Sequence, residues 1–306
     1  MRRAARAGLQ DSMPRAALLS LNARVDGVEP ASWEDPALVQ VWGPRFSAYV
    51  VPRPDVPIFT LARLADGAGR RRALEIADRL DGFLAGRRLD AVEAGRGLGL
   101  DPNALRYAAP TGRVLIRWDG ARQPIVWTVP APEIEPTEAR LELARRYLHV
   151  FGPATPQGFG RWAGIKPPAA AAAFDGLRPT LMPVRTPIGE GWILAGDEDE
   201  VRAPPDGAAP ARLLPSGDPF FLLWEADREL LVPDAARRGE LWTSRVWPGA
   251  LLVAGDIAGT WRRAGAVVQV HSWRALTPAE RDAVEAEVAR LPLPGISAPI
   301  VAQWAS

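Results

Sequence analysis

Between residues 136 and 194 the spacing of apolar side chains changes from helical to strand-like in a legible order. Leu141, Ala144, Leu148 and Phe151 recur on one helix face, with Thr137 placed to cap the first turn. Gly152-Pro153 stops that helix, because proline has no amide hydrogen to continue the ladder and restricts the residue before it. Thr155-Pro156 offers an N-cap and a first-turn proline to a short helix carrying Phe159, Trp162 and Ala163. After Gly164, Pro167-Pro168 opens a third helix that runs through Phe174. Residues 181–185 and 192–194, joined across Pro187-Ile188-Gly189-Glu190-Gly191, read as a hairpin. Three helices and a hairpin make a winged helix, a variant of helix-turn-helix.

The order recurs upstream. Residues 72–84 place Leu74, Ala77, Leu80 and Leu84 on one face, and a short helix is expected at 89–93. Gly95, Gly97 and Gly99 follow, and Asp101-Pro102 opens a third helix through Leu105 and Tyr107. Residues 113–118 and 125–129 then form a hairpin around Asp119-Gly120-Ala121. Nearer the start, residues 14–25 read as an apolar helix, and 39–42 with 48–51 as another wing. The pattern predicts an α+β chain with tandem winged-helix (helix-turn-helix) units at 1–66, 67–132 and 133–200. From 201 to 306 the character changes. Residues 201–211 read as a linker rich in Pro, Ala and Gly. Strand-like runs at 220–224, 250–253, 259–262 and 267–271 suggest a compact barrel or sandwich, and a small C-terminal β-barrel-like domain is expected. Thr277-Pro278 caps a closing helix with Val284, Val288 and Leu291 on one face.

Composition narrows the chemistry. No apolar run approaches the ~20 residues that span a bilayer, and the first residues lack the apolar segment of a secretory signal, so a cytoplasmic protein is expected. Cysteine is absent, which excludes disulfides and thiol nucleophiles. The two histidines, His149 and His271, lie far apart, so a zinc site would have to rely on carboxylates and no metal is expected; no motif indicates a cofactor. Residues 1–130 hold 19 arginines against 14 acidic residues, while the remainder is net acidic. That asymmetry suits an anionic partner on the N-terminal side.

Several segments carry a resemblance. Arg146-Tyr147-Leu148-His149-Val150-Phe151-Gly152-Pro153-Ala154-Thr155-Pro156, followed by Phe159 and Trp162, is the most specific. Asp218-Pro219-Phe220-Phe221-Leu222-Leu223, Pro248-Gly249-Ala250-Leu251-Leu252-Val253 and Gly259-Thr260-Trp261-Arg262 add to it. Gly8-Leu9-Gln10 and Pro14-Arg15-Ala16-Ala17-Leu18-Leu19-Ser20-Leu21 supply the front. Together they resemble the AlkZ/YcaQ-type winged-helix DNA glycosylases over nearly the whole chain. The resemblance implies an enzyme that removes alkylated bases from double-stranded DNA and can unhook interstrand crosslinks. The family's catalytic signature is Gln, any residue, Gln or Asp, then Asp-Pro. Here it reads Gln10-Asp11-Ser12-Met13-Pro14: Gln10 agrees, whereas Ser12 and Met13 depart. The later family stretch Trp-x-x-Arg-Gly-Thr-x-His reads Trp42-Gly43-Pro44-Arg45-Phe46-Ser47-Ala48-Tyr49. Trp42 and Arg45 fit; Phe46, Ser47 and Tyr49 do not.

These matches name the candidates. An alkylated purine is already cationic and leaves readily, so the site must position water and stabilise charge rather than supply a strong acid. Gln10 is expected to orient water through its amide oxygen. Asp11 and Ser12 are further catalytic candidates, Asp11 to supply the missing anion and Ser12 to hydrogen-bond water or a phosphate, or else caps for the helix beginning at Pro14. Trp42, Arg45, Tyr49 and Lys166 are candidate DNA contacts, with Arg45 meeting phosphate, or else a solvated hairpin charge. His149 is expected in the core and Arg70-Arg71-Arg72 at a solvated helix start. Apart from the α-amino group, Lys166 is the one amine, so base removal would proceed by hydrolysis without a Schiff base. Three functions stay open for an expected monomer: a monofunctional glycosylase for bulky alkylated or crosslinked purines, a non-catalytic DNA-binding protein, regulatory or lesion-sensing, and a protein-interaction scaffold, since winged helices also bind proteins.

Overall fold

Strand β1 (Leu9–Gln10) and helix α1 (Ala16–Asn22) open the computed structural model, which describes residues 1–120, 122–203, 207, 209–224 and 226–305. The chain divides into two compact units. One comprises residues 2–14 and 36–199; the other comprises 15–35 and 200–306, together with Met1.

The first unit contains β2 (Leu38–Trp42), β3 (Ala48–Pro52), α2 (Val56–Leu61), α3 (Ala68–Leu84), β4 (Leu89–Asp90) and α4 (Ala91–Leu98). A 3-10 helix (Pro102–Thr111), β5 (Val114–Arg117) and β6 (Ile125–Thr128) follow. Then come α5 (Pro136–Phe151), α6 (Pro156–Ala163), α7 (Pro167–Leu177), β7 (Leu181–Thr186) and β8 (Gly189–Leu194). Six strands form one antiparallel sheet in the order β1-β3-β2-β5-β6-β4, and β7 pairs with β8 separately. The hairpins β2–β3 and β5–β6, expected as separate wings, are thus fused edge to edge at Gln40 and Ile116. Trp42, Leu80, Leu84, Leu105 and Ile116 bury a shared core beneath them. The turn between β5 and β6 was expected at residues 119–121; Ala121 lies outside the described residues.

Local chemistry accounts for the helix ends. Thr155 caps α6, its hydroxyl accepting the Gly158 amide at 3.1 Å, with Pro156 in the first turn. At α5 the expected cap moves. Glu135 occupies that position and Pro136 starts the helix, so Thr137 lies inside it. The third helix after Asp101 is a 3-10 segment containing Pro110, which cannot donate to a longer ladder.

The second unit holds α1, then β9 (Ala211–Leu214), β10 (Gly249–Val253), β11 (Asp256–Ala264), β12 (Val267–Ser272) and β13 (Val301–Trp304). Helix α8 (Glu198–Arg202) precedes β9; α9 (Asp227–Leu231), α10 (Ala235–Leu241) and α11 (Pro278–Ala289) complete the inventory. The strands form an open sheet in the order β13-β12-β11-β10-β9, with β13 parallel to β12. Its ends are not joined, so the closed barrel suggested by strand spacing is absent among the described residues. Phe220–Trp224 is not a strand either. The Asp218 carboxylate accepts the Phe220 amide at 2.9 Å and turns Pro219–Phe221 into a 3-10 helix. Of the expected linker, residues 204–206 and 208 lie outside the described residues, and Ala211 already begins β9. Leu19 of α1 joins Leu213, Leu251, Trp261, Val270 and Val288 in this unit's core. Among the described residues no helix is long and apolar enough to cross a membrane.

Candidate functional site

Strand β1 lies beside β3, pairing Gln10 with Tyr49, and the alternation of a strand sends neighbouring side chains to opposite faces. Gln10 is half-buried, whereas Asp11 is wholly buried. Gly8 makes this approach feasible. Its φ is +69°, and a side chain there would meet the rings of Phe59 and Tyr49 at 2.8–3.0 Å.

Gln10 sits in a dense polar contact. Arg45 Nη2 donates to its Oε1 at 3.0 Å, and the Tyr49 hydroxyl donates to the same atom at 3.4 Å. Guanidinium only donates, so the atom facing Arg45 must be the amide oxygen. Both lone pairs of that oxygen are therefore engaged. The oxygen assigned to water on sequence grounds is occupied by protein donors. The amide nitrogen donates to Ser12 Oγ at 3.0 Å, and Ser12 is exposed.

Asp11 points elsewhere. Its Oδ2 accepts Gln40 Nε2 at 2.7 Å. Gln40 also donates to the Trp118 carbonyl at 3.2 Å and accepts the Trp118 amide at 2.6 Å. One buried glutamine thus locks Asp11 to the seam between the two hairpins. Neither Asp11 nor Ser12 caps α1, whose first turn has Arg15 before it and no side-chain cap.

Arg45 occupies the tip between β2 and β3 with φ 54°, and Phe46 follows with φ 59°. Two consecutive non-glycine residues in the left-handed region are uncommon, and such geometry concentrates where a loop is held for a purpose. Gly164 ends α6 with φ +70°; a Cβ there would lie 3.1 Å from the Arg45 backbone nitrogen. The Arg45 guanidinium, expected to reach phosphate, instead donates through Nη1 to the Trp162 carbonyl at 3.0 Å while holding Gln10. Lys166 is exposed at the N-cap of α7. Trp42 is buried, and His149 is half-buried with Nδ1 2.9 Å from Asp197 Oδ2. Arg70 and Arg71 are exposed in the first turn of α3, and Arg72 lies over the Tyr107 ring at 4.8 Å.

Arg63 and Gln40 were not among the candidates. Arg63 is 6% exposed and donates to the Ala163 carbonyl at 3.1 Å and the Trp42 carbonyl at 2.9 Å. Its guanidinium lies over the Phe46 ring at 4.7 Å. Together with Arg45 it satisfies carbonyls that the end of α6 leaves without helical partners. Burial pushes Arg63 down to about 9; Tyr49 pulls it upward and Arg45 adds to the depression. It remains cationic at neutral pH. Burial raises Tyr49 above its ordinary value, opposed by the charges of Arg45 and Arg63, so its phenol stays a donor to Gln10. The sequence signal for both missed residues was a lone polar side chain in an apolar segment. Gln40 is such a residue within Leu38–Trp42, and Arg63 closes the run that starts at Val56.

Next to this contact lies a pocket of about 210 Å³ lined by Ser12, Trp42, Phe46, Arg106, Ile116 and Trp118 among others. Its walls come from β2, the β2–β3 tip, the 3-10 helix and β5. The arrangement can hold a small polar group at Ser12 and the Gln10 amide nitrogen, beside aromatic surface.

Comparison with known proteins places the chain. The family model described as DNA glycosylase AlkZ-like matches residues 4–292. No curated protein matches in sequence. Among solved structures, the DNA glycosylase AlkZ of Streptomyces sahachiroi superposes with a TM-score of 0.76 at 18% identity, covering 98% of this chain and 92% of that one. At that identity the likeness speaks for the fold.

Proposed function

The chain belongs to the AlkZ-like family of DNA glycosylases, and from that premise we propose that it binds double-stranded DNA as a monomer and hydrolyses the N-glycosidic bond of alkylated purines, bulky or crosslinked ones included. The helices α5, α6 and α7 with the hairpin β7–β8 are read as one winged helix. A second is α3, α4 and the 3-10 helix with β5–β6. The N-terminal surplus of arginine and the exposed Lys166 supply charge for the phosphates.

The observation that carries this reading is the fixation of Gln10. With its oxygen held by Arg45 and Tyr49, its amide nitrogen and Ser12 form a pair that can hold a water beside the pocket. Water placed in this way attacks the sugar C1′ as the C1′–N bond breaks. The bond pair leaves with the purine, which departs neutral. The water's surplus proton passes to solvent at the exposed Ser12, a step that needs positioning more than acid strength. Arg45 and Tyr49 then act as a support for Gln10, Trp42 belongs to the core with its carbonyl on Arg63, and DNA contact falls to residues nearer the surface. No amine is present in this contact, so the reaction ends at an abasic site.

The test uses a duplex containing one N7-alkylguanine. The protein should release the base, and Gln10→Ala should lower the rate about 100-fold, the scale on which a misplaced reactant slows a step. Equal rates for wild type and Gln10→Ala would refute the hydrolytic role.

A second reading, non-catalytic DNA binding, rests on a different observation. Asp11 is buried on Gln40, and the charged group touching Gln10 is a cation, Arg45. Positive charge growing on the sugar would meet repulsion there. On this reading the duplex binds with steep salt dependence, through counterion release, yet yields no abasic product.

A further inference from the structure

In the second unit, the chain after α1, strand β9 and the end of α11 surround a polar pocket of about 200 Å³. Glu287 supplies its buried wall. That residue is 2% exposed and sits in the last turn of α11, where the helix dipole is negative. Burial and dipole both disfavour a carboxylate there. Arg290 Nη2 donates to Glu287 Oε2 at 2.8 Å, and Arg212 Nη1 lies 3.5 Å from the same oxygen. Oε1 is buried and accepts no hydrogen bond among the described residues. Buried polar atoms are nearly always paired, so this oxygen calls for a donor from outside the protein. Two more polar groups on the same pocket are unengaged. The Asp26 carboxylate and the Asn22 side-chain amide have no hydrogen-bond or ion-pair partner among the described residues. Arg212 is held in place by the Ala23 carbonyl on Nε at 3.1 Å and the Ala211 carbonyl on Nη1 at 2.9 Å, which leaves Nη2 to donate. Val25 and Val28, both half-buried, add apolar surface.

We propose that this pocket binds a small aliphatic α-amino acid as its zwitterion. The ammonium donates to Glu287 Oε1 and to Asp26, the carboxylate accepts from Arg290, Arg212 and the Asn22 amide, and the side chain lies on Val25 and Val28. Charge is the first argument. Two carboxylates and two guanidinium groups line the pocket, so it is neutral as a whole yet has two poles. A bare cation there would be repelled by both arginines, and a bare anion by both carboxylates. A ligand that carries one charge of each sign satisfies both ends, the ammonium bringing three donors to acceptors that have none. Size is the second. A volume of about 200 Å³ exceeds the ~150 Å³ cavity that takes a benzene ring and falls short of the ~300 Å³ at which drug-sized sites begin. Such a ligand joins residues of 15–35 to residues of 200–306, so its binding also stabilises this unit. The pocket is separate from the contact at Gln10, and the proposal stands whether or not the chain excises bases.

The experiment titrates the full chain with L-valine in a calorimeter and follows thermal melts in parallel. Saturable binding and a higher melting temperature are expected. Isobutylamine and isobutyrate each present one pole, and each should bind weaker by about tenfold or more, the fold-change for losing a charge-assisted hydrogen bond. Asp26→Ala and Arg290→Ala alter exposed side chains, so both variants should fold, and both should weaken L-valine by about tenfold. Glu287→Gln should weaken it as well. Circular dichroism checks each fold, and the two exposed variants decide the matter if Glu287→Gln does not fold. Absence of saturable heat overturns the proposal, the pocket then holding only solvent on Glu287. Equal binding in wild type and the folded variants overturns it too, because the amino acid then sits elsewhere. So does isobutylamine binding as tightly as L-valine, which would make the pocket a site for amines alone.

Discussion

Arg45, Arg63 and Arg140 all place their guanidinium groups on carbonyls at helix ends. Arg140 reaches Ala62 and Leu64 just after α2, while Arg45 and Arg63 reach Trp162 and Ala163 at the end of α6. The last carbonyls of a helix lack partners and carry partial negative charge, so a cation there is favourable twice over. The planar fork of arginine can serve two acceptors in fixed geometry, which a lysine ammonium on a flexible stem does poorly. Arg63→Lys should therefore lose one of its two carbonyl bonds and cost about 1.5–3 kcal/mol, the range for hydrogen bonds to charged groups. Urea unfolding of the variant checks this, and an unchanged midpoint would show that the fork is dispensable. Sequence resemblance singled out Arg45 but not its task. Its partner carbonyl lies 117 residues along the chain, a distance that no local pattern reports. Asp11 shows the same gap: its position in the motif was visible, its burial on Gln40 was not.

At the scale of elements, the N-terminus of α11 shows what short-range chemistry does. Thr277 and Glu280 form a reciprocal cap, and Arg274 bonds the Glu280 carboxylate at 2.6 Å. Those bonds, Arg274 first and the Thr277 amide next, hold Glu280 down to about 2 from an ordinary 4.5. Because the folded value lies below the unfolded one, its contribution is present above about 4.5 and is lost as pH falls through about 2. The stability gap between wild type and Glu280→Gln should thus be open at neutral pH and close across that window in thermal melts. A gap independent of pH would mean that the charge is idle. This cap was legible in the sequence, as was Thr155-Pro156, because all the partners sit within one turn. Phe220–Trp224 was misread for the opposite reason. Its apolar run looks like a strand, yet the Asp218 carboxylate bends the backbone before any ladder can form. The hairpins were legible singly, while their fusion into one sheet joins Gln40 to Ile116 and Trp118, more than 70 residues along the chain, beyond the reach of any local pattern. Strands β9 and β13 carried little apolar alternation and were not anticipated.

On the scale of the whole molecule, the second unit is assembled from two stretches of chain, 15–35 and 200–306. Asp218, fully buried, ties them: it accepts Ser20 Oγ at 2.6 Å and both Arg24 nitrogens at 2.6–2.7 Å. Removing the partners of a buried carboxylate is costly, about 3–5 kcal/mol, a large share of a domain's stability. Residues 200–306 expressed alone should therefore show no cooperative melt. Joining 15–35 to them through a flexible linker should restore one. A sharp transition in the shorter fragment would show that α1 is dispensable.

That discontinuity also bears on how the protein is made. Ser20 leaves the ribosome 198 residues ahead of Asp218, which at ~5–20 residues per second is a wait of about 10–40 s. For that interval Leu19 lacks its native neighbours Leu213, Leu251 and Val288, and the nascent chain becomes a client for any chaperone that shields exposed leucines.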